Sequence, residues 1–155
     1  MHHQKQPTPR EELSQFPIRI LVAGSRNFSD YELFSETMRD YVTQFTEPFI
    51  FITGAASTGA DALIIRWCRE NDYPWVEFPA DWDNVDAPGA VIRFRNGRAY
   101  NVRAGFQRNA DMGRVATNLI AWWDGRSSGT RDMISIMRGR GDDTTTIVLI
   151  DTDKE

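Results

Sequence analysis

Apolar residues fall into short runs, and the segments between them carry apolar positions at helical spacing. The first run is Ile18-Arg19-Ile20-Leu21-Val22-Ala23 and the second is Phe49-Ile50-Phe51-Ile52-Thr53. The third is Leu119-Ile120-Ala121-Trp122-Trp123. Short, β-branched and aromatic runs bounded by glycine read as buried strands. After the first, Tyr31, Phe34, Met38, Tyr41, Val42 and Phe45 fit one helical face, with Ser29 or Asp30 placed to cap it. After the second, Ala60, Leu63, Ile64, Trp67 and Cys68 do the same until Asn71-Asp72. Trp75 to Phe78 reads as a short strand, Arg103 to Ala116 as a helix and Thr146 to Ile150 as the last strand. Strands alternating with helices predict an α/β, Rossmann-like doubly wound domain. Its sheet is mainly parallel, with about five strands and helices on both faces.

Each of the three runs ends in a glycine-containing turn that opens a helix. These are Gly24-Ser25-Arg26-Asn27-Phe28, Gly54 to Asp61, and Asp124-Gly125-Arg126-Ser127-Ser128-Gly129-Thr130. Such a turn presents free amides and the positive end of a helix dipole, which suits an anion. In this architecture the turns fall in the crevice beyond the carboxyl ends of the strands. Three turns there predict a ligand with several phosphates or ribose hydroxyls. None is a dinucleotide fingerprint or a P-loop, because spaced glycines and a Lys-Ser/Thr pair are missing.

The candidate ligand-binding residues are Gly24, Ser25, Arg26, Phe28, Gly54, Ala55, Gly59, Asp61, Trp82, Arg108, Asn109, Asp124, Gly125, Ser128, Gly129 and Thr130. Arg26 and Arg108 offer guanidinium groups to a phosphate. Ala104-Gly105 allows close approach beside Arg108-Asn109. Ser128, Gly129 and Thr130 either hold a phosphate or cap the final helix. Asp61 either meets a ribose or serves the helix dipole. Trp82, Trp122 and Trp123 are candidates for stacking, with at least one of the paired tryptophans in the core because strand neighbours face opposite sides. The catalytic set, if any, is unknown.

Composition narrows the field. The chain has 155 residues, 41% of them hydrophobic, which suits one domain with a real core. Its apolar runs are too short to span a bilayer. The single cysteine, Cys68, lies on an apolar helix face, which fits a buried thiol in a cytoplasmic protein. Net charge is −4, which argues against a general nucleic-acid binder. No cofactor motif is legible. No metal site is expected either, since both histidines, His2 and His3, fall in the tail. Residues 1–17 are polar and aperiodic and read as a disordered N-terminal tail, with the domain at 18–155.

Within an irregular stretch, Val91 to Val102 carries Asn96-Gly97 between alternating flanks, a strong hairpin signal. A two-residue turn places Arg93, Arg95, Arg98 and Tyr100 on one face and Ile92, Phe94 and Ala99 on the other. An isolated hairpin is marginal in water. This one is expected to pack on its own domain or a second subunit, with a homodimer favoured in which it helps to cover the crevice.

The motifs taken together resemble the YspA-like branch of the SLOG superfamily of Rossmann-like nucleotide-binding proteins. Gly24-Ser25-Arg26-Asn27-Phe28 matches its G-S-R-x-F, Gly59-Ala60-Asp61 its G-A-D and Ala80-Asp81-Trp82 its A-D-W. Ala104 to Asn109 matches A-G-x-x-R-N, followed by Met112, and Trp123 to Thr130 matches W-D-G-x-S-x-G-T. The hairpin, at about 83–103, looks like an insertion between two of these motifs. The resemblance implies a nucleotide or nucleotide-derived ligand, with relatives that include phosphoribohydrolases, sensors and a single-strand DNA-binding protein. The glutamate that follows the G-T of the phosphoribohydrolases is replaced here by Met133. The leading expectation is a sensor or sequestering domain. The alternatives are a nucleotide N-glycosidic hydrolase, for which Asp61, Asp124 and Asp132 are the placed carboxylates, and a single-strand nucleic-acid binder using the arginine face of the hairpin.

Overall fold

The computed structural model of the chain describes residues 6–151. His2 and His3 lie outside the described residues. Five strands form one parallel sheet: β1 (Ile18–Gly24), β2 (Phe49–Thr53), β3 (Trp75–Glu77), β6 (Asn118–Trp123) and β7 (Thr145–Leu149). Their order is β3-β2-β1-β6-β7. The chain winds outward from β1 to β3, then returns to lay β6 on the other side of β1. The gap between the ends of β1 and β6 is therefore the switch point at which such sheets bind ligands.

Alternation along each strand feeds two cores. Ile20, Val22, Phe51, Ile120 and Trp122 face α1 (Tyr31–Tyr41) and α2 (Ala60–Asn71), where they meet Phe34, Met38, Ile64 and Trp67. Leu21, Ala23, Ile50, Ile52, Leu119 and Ala121 face α3 (Ala104–Val115) and α4 (Ser128–Arg138), with Met112, Met133, Ile134 and Met137. Both faces are covered, so the strands read as nearly continuous apolar runs. Asp30 caps α1 by accepting from the Leu33 amide at 3.0 Å. Asp72, in the left-handed region at φ 60°, ends α2.

The predicted doubly wound α/β fold is therefore the observed one, with element ends shifted by a residue. The described part of the predicted tail differs. Arg10–Gln15 forms a 3-10 turn, and Leu13 is buried in the core. The Thr8 amide donates to the Trp75 carbonyl at 2.7 Å, and Arg10 Nε donates to the Glu77 carbonyl. The segment is thus strapped along the outer edge of β3, with the Arg10 guanidinium 4.0 Å over the Phe78 ring. Backbone pairing and one buried leucine leave no period in the sequence, which is why composition alone suggested disorder.

The Asn96-Gly97 hairpin is present as β4 (Ile92–Arg95) and β5 (Arg98–Asn101), with both turn residues at positive φ as a type I′ turn requires. Its register pairs Arg93 with Tyr100 and Arg95 with Arg98, so the predicted faces are correct. Of the two expected coverings for its apolar face, the domain's own surface does not supply one: Phe94 is 72% exposed and Ile92 39%. An exposed ion pair of 3.1 Å joins Arg98 to Asp83, and the arm is anchored at its root. Asn101 is fully buried there, donates to the Asn84 carbonyl and Gln107 Oε1, and accepts from the Val91 and Arg103 amides.

Candidate functional site

A cleft of about 470 Å³ opens beyond the ends of β1, β2 and β6. Of the sequence-predicted residues, Gly24, Ser25, Arg26, Asp61, Trp82, Arg108, Asn109, Ser128, Gly129 and Thr130 line it. The others serve the scaffold. Phe28 is buried and stacks on Trp122, which is itself in the core. The Ala55 amide donates to Thr53 Oγ1. Gly125, at φ +81°, forms the turn before α4.

Two glycines are required by the scaffold. Gly59 sits at φ +73°, and a Cβ there would lie 2.5 Å from the Ser25 carbonyl oxygen. A side chain at this place would thus drive the β2–α2 turn off the β1–α1 turn. A Cβ on Gly54 would overlap the Arg108 guanidinium, with the Asp61 carboxylate 2.9 Å away. Gly54 is therefore the slot in which a cation from α3 meets an anion from α2.

Asp61 stands in the first turn of α2, and its Oδ2 accepts from the Ala56 amide at 3.2 Å. Burial pushes its pKa up, against the opposing pull of that amide and of Arg108 and Arg26. Arg108 donates through Nη1 to the Gly54 carbonyl at 2.7 Å and through Nε to Asn109 Oδ1. Burial lowers its pKa, Asp61 opposes this only in part, and Arg26 adds to the lowering. Asn109 is buried and donates to the Gly129 carbonyl and Asp132 Oδ2, tying α3 to the start of α4.

The β6–α4 turn is organised by Asp124. Its Oδ1 accepts from the Arg126 and Ser127 amides, and its Oδ2 from the Ser127 hydroxyl. The Ser127 and Ser25 hydroxyls lie 3.0 Å apart, which joins this turn to the first one. Partial desolvation pushes the Asp124 carboxyl up. The Ser127 and Arg126 amides and the Ser127 and Ser25 hydroxyls outweigh it and hold the group at about 2. Asp124 is thus a turn-former with its acceptor capacity used inside the loop.

What remains open is specific. Arg26 is exposed and makes no hydrogen bond or ion pair among the described residues; its guanidinium lies 5.8 Å over the Trp82 ring. At the start of α4, Ser127 does not cap the helix with its side chain. The cleft has two chemically different ends. Arg26, Asn27 and the start of α4 form a polar end, whereas Trp82, Val102, Phe106, Met112 and Met133 supply apolar surface. Trp82 and Phe106 are 36% and 43% exposed. Phe106 and Met133 were not among the predicted binding residues; the sequence signal for Phe106 was its place beside Gly105 in the A-G-x-x-R-N motif.

Residues 18–84 match the model of the YAcAr family, described as YspA, cpYpsA-related SLOG family. The chain is similar to that family over these residues, which are less than half of its length. That segment contributes β1, β2, β3, the two turns around Ser25 and Asp61, and Trp82. The rest of the cleft, namely Arg108, Asn109 and the start of α4, comes from beyond the matched residues. No curated protein and no solved structure matched the chain. No helix among the described residues is long and apolar enough to cross a membrane.

Proposed function

We propose that the chain binds a nucleotide or nucleotide-derived ligand in this cleft, as a sensor or sequestering domain. The observation that carries the reading is the two-ended cleft at the switch point of a SLOG-type sheet. A phosphate suits the open helix start and Arg26, and a base suits the exposed ring of Trp82. Binding is favoured over N-glycosidic hydrolysis by the state of the carboxylates. Asp124 is committed to its turn, Asp132 accepts from Asn109, and the position after the G-T motif holds the buried Met133. Asp61 is the one cleft carboxylate on which a hydrolase reading rests.

Calorimetry with a panel of nucleotides and the matching nucleosides tests this reading, with the recovered ligand analysed by mass. We expect nucleotides to bind and to return unchanged. Release of the free base would favour the hydrolase, and absence of binding to every nucleotide would remove the reading. The cationic hairpin face keeps single-strand nucleic acid as a lesser reading. It requires oligonucleotide binding that weakens steeply with salt.

A further inference from the structure

The five-stranded sheet has two edges, and the chain treats them differently. The outer edge of β3 is met by the N-terminal strap. The outer edge of β7 has no backbone partner among the described residues. The Thr144 carbonyl accepts from the Leu119 amide, and the Ile150 amide donates to the Trp123 carbonyl, so the even-numbered residues turn their backbone toward β6. Strand alternation then points the amides and carbonyls of Thr145, Ile147 and Leu149 outward. β7 holds no charged residue and no proline, the usual guards of an open edge. Its Leu149 is 75% exposed. Asp143 and Asp151 flank the strand, and Asp142 is answered by Arg140 at 3.1 Å. The hairpin offers a second open edge. The Val102 amide donates to the Val91 carbonyl, and Arg93-Tyr100 and Arg95-Arg98 are pairs of the same bonded kind. Ile92 and Phe94 therefore turn their backbone groups away from β5. The far side of β5 is engaged, because the Asn101 amide donates to the Trp82 carbonyl at 2.6 Å. All four residues of β4 are exposed. Arg98 is paired with Asp83, which leaves Arg93 and Arg95 as the outward charge of the arm.

We propose that β4 of one copy of the chain adds to the β7 edge of a second copy, and that a reciprocal exchange of arms joins the two. In an antiparallel register Ile92 and Phe94 lie beside Leu149 and Ile147, and Arg95 near the tip approaches Asp143. Pairing of like with like is disfavoured. Two β7 strands paired about Ile147 set Asp143 against Asp151, and two β4 strands bring the arginines of both arms together. The contact is therefore between unlike surfaces, a basic arm and an acid-flanked edge. It covers the exposed apolar side chains of both and satisfies two rows of backbone groups. It goes beyond the nucleotide reading and does not depend on it.

The test is sedimentation equilibrium of the full chain and of two variants at exposed positions, Phe94→Ser on the arm and Leu149→Lys on the edge. The wild-type chain should dimerise. Each variant should weaken association at least about tenfold and keep the circular dichroism of the wild-type chain. Mixing the two variants should restore part of the association, because the arm of the Leu149→Lys chain and the edge of the Phe94→Ser chain are both intact. The mixture should associate at least about tenfold more tightly than either variant alone. A wild-type chain that stays monomeric at every concentration overturns the proposal. An indifferent Leu149→Lys overturns it in favour of arm on arm, and an indifferent Phe94→Ser in favour of edge on edge. A mixture no tighter than its components also overturns it. If Leu149→Lys changes the circular dichroism, Asp143→Lys, which reverses an exposed charge, takes its place in the same measurements and is judged by the same outcomes.

Discussion

The two cleft arginines look alike in the sequence and differ in the structure. Arg26 has unused donors, whereas Arg108 is fastened to the Gly54 carbonyl and to Asn109. Arg26→Ala should weaken a phosphorylated ligand by the loss of one charge-assisted hydrogen bond, about 1.5–3 kcal/mol or roughly ten- to a hundredfold. Its thermal midpoint should not move. Arg108→Ala should instead destabilise the fold by about 1–3 kcal/mol, because the Gly54 carbonyl and Asp61 lose their partner. Calorimetry and thermal melting on both variants separate the two roles; equal melting temperatures would contradict the division. Asp124 makes a pH prediction. Its folded value of about 2 lies below the ordinary carboxylate value, so its contribution is present above about pH 4 and is lost as pH falls toward 2. Asp124→Asn should lower stability at pH 7 by about 1 kcal/mol, allowing for solvent screening. The variant should also lose part of the acid-induced decline, as read by denaturant titration at several pH values. An identical acid limb in wild type and variant would refute this role.

At the scale of elements, the sheet and its helices were legible because burial on two faces leaves a period that the residues display. Ile20 and Leu21 go to opposite cores, as strand alternation demands. The hairpin was legible from Asn96-Gly97 alone, because few residues tolerate two successive positive φ angles. What surrounds the hairpin was not, since tertiary burial is not encoded in a local turn. Its arm carries three arginines and no carboxylate, and the chain's −4 therefore leaves the remainder at −7. An exposed cationic arm with Phe94 at its surface suits an acidic second copy of the same chain. We expect sedimentation to find a dimer that Phe94→Ser dissociates without lowering the thermal midpoint. A wild-type chain that sediments as a monomer would end that reading.

For the whole molecule, the cleft at the carboxyl ends of the strands was legible and the bonding inside it was not. Gly54 and Gly59 were read as candidate ligand-binding residues, and in the structure they make room for Arg108 and for the Ser25-Arg26 turn. Only the folded chain shows which donors the protein has already used. The N-terminal strap has a separate consequence, for solubility. The matched family segment begins at Ile18, which invites a shortened domain that starts there. Such a fragment would keep every cleft residue and lose the Thr8 and Arg10 bonds to β3. The outer edge of β3 would then offer unpaired backbone groups to any other exposed strand. Light scattering should show the fragment from Ile18 aggregating under conditions in which the full chain stays clear, and clear solutions of both would contradict this. The strap is in this sense a guard against self-association, held by residues that look from composition like a tail to be trimmed.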